Sequence, residues 1–214
     1  MKPFIQPPVV TPKGEQLLSV SFGDSADAEH LDSWHDAISS AGSVNARDSI
    51  EFASLAGKRW RYYAGRSENV GALDEFVIRS AKSHDELGFL LVAKLPSCPD
   101  IIGVAWCRRT WCNHLVLDFL ASHPLYDKNN GYRRIGASML LALGYITRRA
   151  KIPLIWGEAT LASAGFYKAA ALQENKRKVQ DHFFIRGRNL ANLRRDATPF
   201  AVTKRWFFAG FDGC

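Results

Sequence analysis

The chain has 214 residues, of which 47% are hydrophobic and 23% are charged, and its formal net charge is +7. This length suits one domain with a sizeable core, and the composition excludes a disordered chain or a fibre. No apolar run approaches the roughly 18 residues of a membrane span. The proline-rich N-terminus also lacks the apolar core of a signal peptide. We therefore expect a soluble cytoplasmic protein that does not enter a membrane.

Charge is distributed unevenly along the chain. Residues 1–107 carry 10 Lys and Arg against 14 Asp and Glu, a net of −4, whereas residues 108–214 carry 18 against 7, a net of +11. Within Lys176–Arg205 there are nine basic and two acidic residues. This basic half favours a polyanionic partner, such as a nucleotide cofactor or a nucleic acid, and a solvated surface is the alternative.

Several common site types find no support in the sequence. The four cysteines, at positions 98, 107, 112 and 214, have neither metal-binding nor disulfide-framework spacing, so we expect free thiols. His30 and His35 are five residues apart and no HExxH motif is present, so no metal site is predicted. The sequence contains neither a GxSxG elbow nor a GxxxxGK[ST] loop, which argues against a hydrolase or a P-loop protein.

The N-terminal region begins without regular structure. Residues 1–13 are rich in proline and lack periodicity, which predicts an extended or loosely docked arm. Leu17–Phe22 has the character of a strand. Asp24 or Ser25 is placed to cap a helix over about 26–39.

The middle of the chain is harder to interpret. Residues 45–86 are partly apolar without a clean period, although Leu73–Ser83 is predicted to be helical. Two strands then follow, Phe89–Lys94 and Ile101–Trp106, joined by a hairpin-like connection that contains two prolines.

The second half alternates strands and helices. The predicted elements are a strand over His114–Ser122, a helix over Gly136–Ala150, a strand from Leu154 to Trp156, a helix over Ser163–Gln173 and a strand over Val179–Ile185. A helix of this length between two strands predicts a βαβ crossover and a locally parallel pair. We therefore expect an α/β fold with a mixed sheet, formed by a single domain over 14–214 with a core over 87–185 and a basic, aromatic C-terminal extension over 186–214.

The turn before the helix at Gly136 has the features of an anion site. The first N–H groups of a helix lack partners, and the helix dipole favours negative charge there. Gly136 lets a ligand approach the backbone closely, while Ala137 and Ser138 keep the turn small. Arg133 and Arg134 add positive charge. The turn suits a pyrophosphate, and an ordinary tight helix start is the alternative.

In this order of elements, residues 87–185 resemble the GCN5-related N-acetyltransferase (GNAT) family, which uses acetyl-CoA. The family's pyrophosphate motif, Arg/Gln-x-x-Gly-x-Gly/Ala, is similar to Arg133-x-x-Gly136-x-Ser138. The sequence departs from it at Ser138, where Gly or Ala is usual. The strand that ends in Ala121-Ser-His-Pro looks like the family's fourth strand, although a longer loop follows it here.

A second motif supports the same resemblance. The family's later helix often has the pattern Asn-x-x-Ala-x-x-Phe-Tyr-x-x-x-Gly-Phe, which Thr160–Leu172 matches in part. Phe166 and Tyr167 stand at the aromatic pair, whereas Thr160 and Ala171 replace the usual Asn and Gly.

The resemblance implies an N-acetyltransferase with a GNAT-like sheet, flanked by helices and containing a splayed pair of parallel strands. It implies that a primary amine attacks the thioester of acetyl-CoA directly in a ternary complex. Backbone N–H groups near Leu120 and Ala121 would polarise the thioester carbonyl, and Tyr167 would act as general acid. The residues that it places at the cofactor are Leu120, Ala121, Ser122, Arg133, Arg134, Ile135, Gly136, Ala137, Ser138, Thr160, Ser163 and Phe166.

Two carboxylates are candidates for the general base. Asp118 lies within a strand among apolar residues, where alternation places it on the face of Val116 and Leu120. A buried carboxylate must be paired, hydrated or functional. Glu158, near the end of the next strand, is the rival. The alternatives are a structural ion pair with an arginine for either residue, or deprotonation of the amine through water.

The acceptor and two other interpretations stay open. The amine could belong to a small molecule, a peptide or an aminoacyl-tRNA, and a cationic acceptor would prefer an acidic pocket supplied by the acidic N-terminal half. A homodimer is also left open. The basic stretch Lys176–Arg205, interleaved with aromatic residues, could form a nucleic-acid-binding module that binds a polyanion. A catalytically silent GNAT-like protein, in which Ser138 and the altered loop no longer hold the cofactor, is the third interpretation.

Overall fold

The computed structural model describes residues 2–40, 44–160, 162–170 and 182–202. Within these ranges a six-stranded sheet forms the centre, and a two-stranded hairpin lies beside it. The strands are β1 (Pro8–Thr11), β2 (Gly14–Leu17), β3 (Ser19–Phe22), β4 (Leu87–Leu95), β5 (Cys98–Arg109), β6 (Leu115–Ser122), β7 (Leu154–Glu158) and β8 (His182–Arg186). The α-helices are α1 (Ser25–His30), α2 (Val44–Tyr63), α3 (Leu73–Lys82), α4 (Ile135–Arg149), α5 (Ala164–Ala170) and α6 (Gly187–Ala197).

The sheet has the order β3-β4-β5-β6-β7-β8. All neighbours are antiparallel except β6 and β7, which are parallel and are connected through α4. The predicted mixed α/β sheet with one parallel pair is therefore confirmed. Parts of the predicted last helix and last strand fall on residues 171–181, which lie outside the described residues.

Helices cover both faces of the sheet. On one face, α1, α2 and a 3₁₀ helix over Leu31–Ser40 surround the fully buried Trp34 and Trp106. The other face carries the larger core, where Phe76 of α3 packs edge-on against Phe89 of β4 with ring centroids 4.9 Å apart. β4 is a nearly continuous apolar run, which is the pattern of a strand with both faces covered.

The long helix α2 was not predicted, because its buried stripe consists largely of small residues. The buried positions are Ala46, Ile50, Ala53, Ala56, Gly57 and Tyr63, which recur at helical spacing. A pattern search for large apolar residues misses such a stripe. The small side chains allow α2 to approach α1 closely, since a Cβ at Gly57 would lie 2.9 Å from Ala28 O.

The helix predicted after β3 is present, but only its first part is α-helical and the remainder is a 3₁₀ helix. Asp24 is its N-cap and forms a capping box with Asp27, in which each side chain accepts a hydrogen bond from the other residue's N–H at 3.0 and 3.2 Å. The α-helical part ends at His30, and the chain continues as the 3₁₀ helix Leu31–Ser40.

The N-terminal segment is firmly attached, so the expectation of a loosely docked arm is wrong. Ile5 and Val9 are fully buried in the main core. Phe4 N donates to Val20 O at 3.0 Å, and Gln6 N donates to Phe200 O at 2.7 Å. These bonds connect residues far apart in sequence, which is why local periodicity did not reveal them.

The C-terminal extension contains a helix, α6, that packs on α4. Arg194 of α6 donates to the carbonyl of Thr147 at 3.2 Å and also to that of Ile152. Burial lowers the pKa of Arg194. Part of the basic composition of this region therefore serves to attach the helix. None of the helices in the described ranges is long and apolar enough to cross a membrane.

The α4–α6 contact predicts a steric effect at Gly144. A Cβ there would meet Leu193 Cγ at 2.7 Å and Leu193 O at 3.1 Å, so Gly144→Ala should push α6 away. We expect the free energy of unfolding in urea to fall by about 1–3 kcal/mol. Gly165→Ala in α5 is the matched control, because no atom lies within 4 Å of its Cβ position. Equal stability of the two variants would contradict this packing.

Candidate active site

A cavity of about 770 Å³ opens where β6 ends and α4 begins. Its walls are the end of β6, the loop over residues 123–134, the first turn of α4, the N-terminal part of α2 and Phe166 of α5. This volume lies within the range of about 300–1,000 Å³ that small-molecule sites occupy. Nine of the predicted cofactor residues line it together: Leu120, Ala121, Ser122, Arg133, Arg134, Ile135, Gly136, Ala137 and Phe166.

The two parallel strands β6 and β7 separate before they reach this cavity. Their last paired positions are Leu117 and Gly157. Within the described residues no strand pairs with positions 118–122 on that side, whereas on its other side β6 remains paired with β5 as far as Ser122. Alternate backbone N–H and C=O groups of 118–122 therefore face an open edge, which an extended ligand segment can use.

β6 contains a β-bulge at Asp118. Cys107 of β5 pairs with Leu117, whereas the adjacent Trp106 pairs with Phe119. The backbone of Asp118 therefore has no pairing position on β5. A bulge interrupts the alternation of side chains. Leu117 and Leu120 consequently both pack toward the larger core. Asp118 instead bonds to Arg108, which also bonds to Glu86 beside Tyr63 of the other core. The expectation that Asp118 and Leu120 share a face is therefore wrong.

Asp118 is held by Arg108 on β5. Arg108 Nε donates to Asp118 Oδ2 at 2.6 Å, and Nη2 donates to Oδ1 at 3.0 Å. Arg108 Nη1 also donates to Glu86 at 3.1 Å, and Tyr63 donates its hydroxyl to the same carboxylate. The bond to Asp118 raises the pKa of Arg108, while burial and the bond to Glu86 raise the pKa of Tyr63 to about 12. This geometry matches the ion-pair alternative for Asp118.

The other candidate base, Glu158, lies apart from the cavity. It is exposed at the end of β7, where its backbone pairs with His182 of β8. None of the three predicted catalytic residues, Asp118, Glu158 and Tyr167, is among the residues that line the cavity.

α4 begins without a side-chain cap. Its N-cap residue, Arg134, has φ +74°, in the left-handed region that costs a non-glycine residue about 1–2 kcal/mol. Ser138 N donates to Arg134 O at 2.8 Å, which is the first bond of the helical ladder. The N–H groups of Ile135, Gly136 and Ala137 come before this first bond, so they have no acceptor within the helix. Together with the helix dipole they form a candidate anion-binding site at the cavity wall.

Gly136 lies against the ring of Phe166. A Cβ at Gly136 would meet Phe166 Cζ at 3.2 Å. The glycine therefore has two effects: it leaves the backbone accessible from the cavity, and it makes room for the aromatic ring beside the helix start.

The rim of this anion site is basic. Lys128, Arg133 and Arg134 are exposed at the cavity, against one carboxylate, Asp127, which gives a net of +2 among the lining residues. Asp127 is turned into its own loop, where Oδ1 accepts from Asn130 N at 3.0 Å. The charge that faces the cavity is therefore mainly positive.

Three residues predicted at the cofactor do not line the cavity. Ser138 is 1% exposed, and its hydroxyl donates to Pro8 O at 3.1 Å. Thr160 and Ser163 form a capping box ahead of α5, with Ser163 N donating to Thr160 Oγ1 at 3.2 Å and Thr160 N donating to Ser163 Oγ at 3.0 Å. All three hydroxyls thus make bonds within the protein.

Tyr167 lies where β6 and β7 separate. Its ring stacks on Phe183 with centroids 4.0 Å apart and planes within 9°. The ring of Phe183 lies against Gly157, which pairs with Leu117 at the last paired position of the two parallel strands, so Tyr167 is stacked on the residue that covers this position. It is 6% exposed, and burial and the nearby Cys107 raise its pKa above the ordinary 10.0. The phenol therefore keeps its proton at neutral pH.

The cavity also contains residues that the sequence analysis did not single out, of which His123 is the most constrained. Its Nδ1 accepts a hydrogen bond from Leu125 N at 3.2 Å, and its ring packs edge-on against Trp34 and Tyr126 at 4.8 and 5.3 Å. Burial lowers the pKa of His123. The neutral ring must then carry its proton on Nε2, which makes it a donor. The His-Pro pair at the end of a strand was the available signal.

The wall contributed by α2 had no such signal. Ala46 and Ser49 line the cavity opposite residues more than seventy positions later in the chain. Only the packing of α2 on β6 brings them there.

Neither a family model nor a curated protein matches the sequence. Among solved structures, a spermidine N-acetyltransferase that is a chimera of Vibrio cholerae SpeG and hSSAT has a TM-score of 0.49 and 8% identity, over 82% of this chain and 98% of that one. A protein described as a GNAT-family acetyltransferase from Desulfovibrio desulfuricans has a TM-score of 0.48 and 14% identity, over 79% and 98%.

A third solved structure contains acetyl-CoA. It is described as a streptothricin acetyltransferase from Bacillus anthracis, and it has a TM-score of 0.37 and 15% identity over 47% of this chain. The present chain spans 63% of that protein's length. Likenesses of this degree say nothing about the chemistry of this chain, which has to follow from its own residues.

The contact between Gly136 and Phe166 yields a prediction. In Gly136→Ala the new methyl group displaces the ring, and we expect the Kd for CoA, the ligand that the sequence resemblance implies, to rise about fivefold to tenfold by isothermal titration calorimetry. Alanine is favourable in a helix, so the free energy of unfolding should change by less than about 1 kcal/mol. Because Phe166→Leu makes room for the methyl group, Gly136→Ala should cost less CoA affinity in a Phe166→Leu background than in the wild type. An unchanged Kd in Gly136→Ala would contradict this account.

Proposed function

We propose that this protein transfers the acetyl group of acetyl-CoA directly to a primary amine. One observation carries the proposal: the open edge of β6 and the uncapped start of α4 meet at one basic cavity. A long ligand with a pyrophosphate at one end and an amide-bearing arm at the other uses both features. A simple anion or an extended peptide would use only one of them.

The phosphate end of the donor is held at the start of α4. The N–H groups of residues 135–137 donate to the pyrophosphate, while Arg133 and Arg134 supply charge at the rim. The similarity of Arg133-x-x-Gly136-x-Ser138 to the family's pyrophosphate motif supports the same placement. Phe166 covers the helix start on the side of α5.

The open edge of β6 holds the pantetheine arm. Amide groups of the arm pair with backbone groups of 118–122, as an added strand pairs with an exposed sheet edge. Because consecutive N–H groups point to opposite edges of a strand, only one of Leu120 and Ala121 directs its N–H toward the arm. That N–H polarises the thioester carbonyl. When bound, acetyl-CoA supplies the activated acetyl group.

Tyr167 is the proposed general acid. Its Oη keeps a proton at neutral pH, because burial raises the pKa of the phenol. The ring stacks on Phe183, whose ring lies against Gly157 at the last pair of β6 and β7, which is the point toward which the open edge leads. A donor at this place stabilises negative charge on the departing sulfur.

Neither predicted carboxylate is well placed as a dedicated base. Asp118 uses both oxygens in its bonds to Arg108, and Glu158 is exposed away from the cavity. We propose that the amine loses its proton through water and that Asp118 anchors the bulge.

The basic stretch behind the nucleic-acid interpretation is described only in part: five of its nine basic residues lie outside the described residues, and Arg186 and Arg188 are exposed. Arg194 is bonded to backbone carbonyls, and Arg195 pairs with Asp196 at 3.1 Å. These side chains make intramolecular contacts. The remaining alternative, a silent GNAT-like protein, is decided by cofactor binding.

Binding of acetyl-CoA is the first test. Isothermal titration calorimetry should show one site with a micromolar Kd, and Arg133→Gln should weaken it by about 1.5–3 kcal/mol through loss of a charged hydrogen bond. Arg148→Gln, at the opposite end of α4, is the matched control and should bind normally. No heat at high micromolar acetyl-CoA would refute the proposal and match the silent protein. Salt-dependent RNA binding in its place would favour the nucleic-acid module.

The role of Tyr167 gives a second test. In Tyr167→Phe, kcat should fall about a hundredfold or more, whereas the Kd for acetyl-CoA should change by less than about twofold, because only the proton donor is lost. Tyr145→Phe removes the hydroxyl of another buried tyrosine, in α4, and should leave kcat unchanged. Wild-type turnover in Tyr167→Phe would remove Tyr167 as the acid.

A further inference from the structure

The strand β1 is attached on both sides of the anion-binding turn of α4. Before the turn, Val10 N donates to Arg133 O at 3.2 Å and Arg133 N donates to Val10 O at 3.0 Å. After it, Ser138 Oγ donates to Pro8 O at 3.1 Å. The three amides of residues 135–137 therefore lie between two attachments to one strand.

The turn between these attachments has a backbone that needs support. Arg134 has φ +74°, a conformation that a non-glycine residue keeps only when its surroundings over-determine it. Arg133 is fixed on one side and Ser138 on the other. Earlier in the same loop, Gly131 has φ +80° and lies against the ring of Pro12, whose Cγ would be 3.2 Å from a Cβ at Gly131. The N-terminal segment thus contacts the loop at two points, Gly131 and Arg133.

The segment that supports the turn is itself fixed to the core. Ile5 and Val9 are fully buried. Val20 N donates to Ile5 O at 3.1 Å, and Leu18 N donates to Pro7 O at 2.9 Å. Movement of the helix start relative to the sheet would have to break these contacts or the two attachments.

We infer that Val10 and Ser138 are positioning residues, through which β1 sets the direction of the 135–137 amides toward the donor's pyrophosphate. The inference rests on the proposed function and deepens it. It also gives a reason for Ser138, where the family motif has Gly or Ala: the hydroxyl is the second attachment to β1.

Two variants remove one attachment each. Val10→Pro deletes the N–H that donates to Arg133, and Ser138→Ala deletes the hydroxyl that donates to Pro8. Glu15→Pro is the matched control. Glu15 lies directly opposite Val10 on β2, and because Val10 directs its backbone groups to Arg133, the N–H of Glu15 points away from β1.

The readouts separate positioning from general stability. The Kd for CoA should rise about tenfold in Val10→Pro and about threefold in Ser138→Ala, and it should not change in Glu15→Pro. Turnover of S-acetylpantetheine, which lacks the pyrophosphate, should be the same in all three variants and the wild type. Backbone amides 135–137 should exchange hydrogen faster in Val10→Pro than in Glu15→Pro.

Unchanged CoA affinity in both attachment variants would overturn the inference, as would equal losses with acetyl-CoA and S-acetylpantetheine. If Val10→Pro does not fold, Ser138→Ala alone decides between these results. If the wild type binds no CoA, the proposed function fails separately. Hydrogen exchange then still decides on positioning: equal exchange at 135–137 in Ser138→Ala and the wild type would overturn it, and faster exchange would support it.

Discussion

The rest of the site depends on the separation of β6 from β7, which follows the close contact between Leu117 and Gly157. Where they last pair, a Cβ at Gly157 would meet Leu117 O at 2.5 Å and the ring of Phe183 at 2.9 Å, so only glycine allows this approach. One residue later the bulge at Asp118 bends β6. The open edge and the cavity beyond it both follow from these two adjacent irregularities.

An ion pair stabilises the bulge at a place where a lone carboxylate would be unfavourable. The side chains of Arg108 and Asp118 are only 26% and 18% exposed, and their two hydrogen bonds satisfy both oxygens of the carboxylate. Removing either partner would leave a partly buried charge unmatched, which costs more than the pair itself contributes. Arg108 also pairs with Glu86, so the three side chains together keep a formal charge of −1.

How much the sequence could predict depends on whether the contacts involved are local. One wall of the cavity is formed by residues 120–137, where a strand end, a loop and a helix start follow one another, so pattern and motif indicate it. The bulge leaves no local signal, because register is set across strands, and it placed Leu120 on the unexpected face. Ser138 was correctly seen as a departure from the motif, but its bond to Pro8 spans 130 positions, and no periodicity could indicate it.

The wall of the cavity that α2 contributes bears on the charge of an acceptor pocket. The acidic N-terminal half suggested a pocket for a cationic acceptor, yet the described residues that this half contributes are Ala46 and Ser49, which carry no charge. Glu86, the second carboxylate bonded to Arg108, also accepts a hydrogen bond from Tyr63. His123 adds a neutral donor. On this wall, therefore, shape and hydrogen bonding would have to select an acceptor, because the described side chains offer no negative charge to attract one.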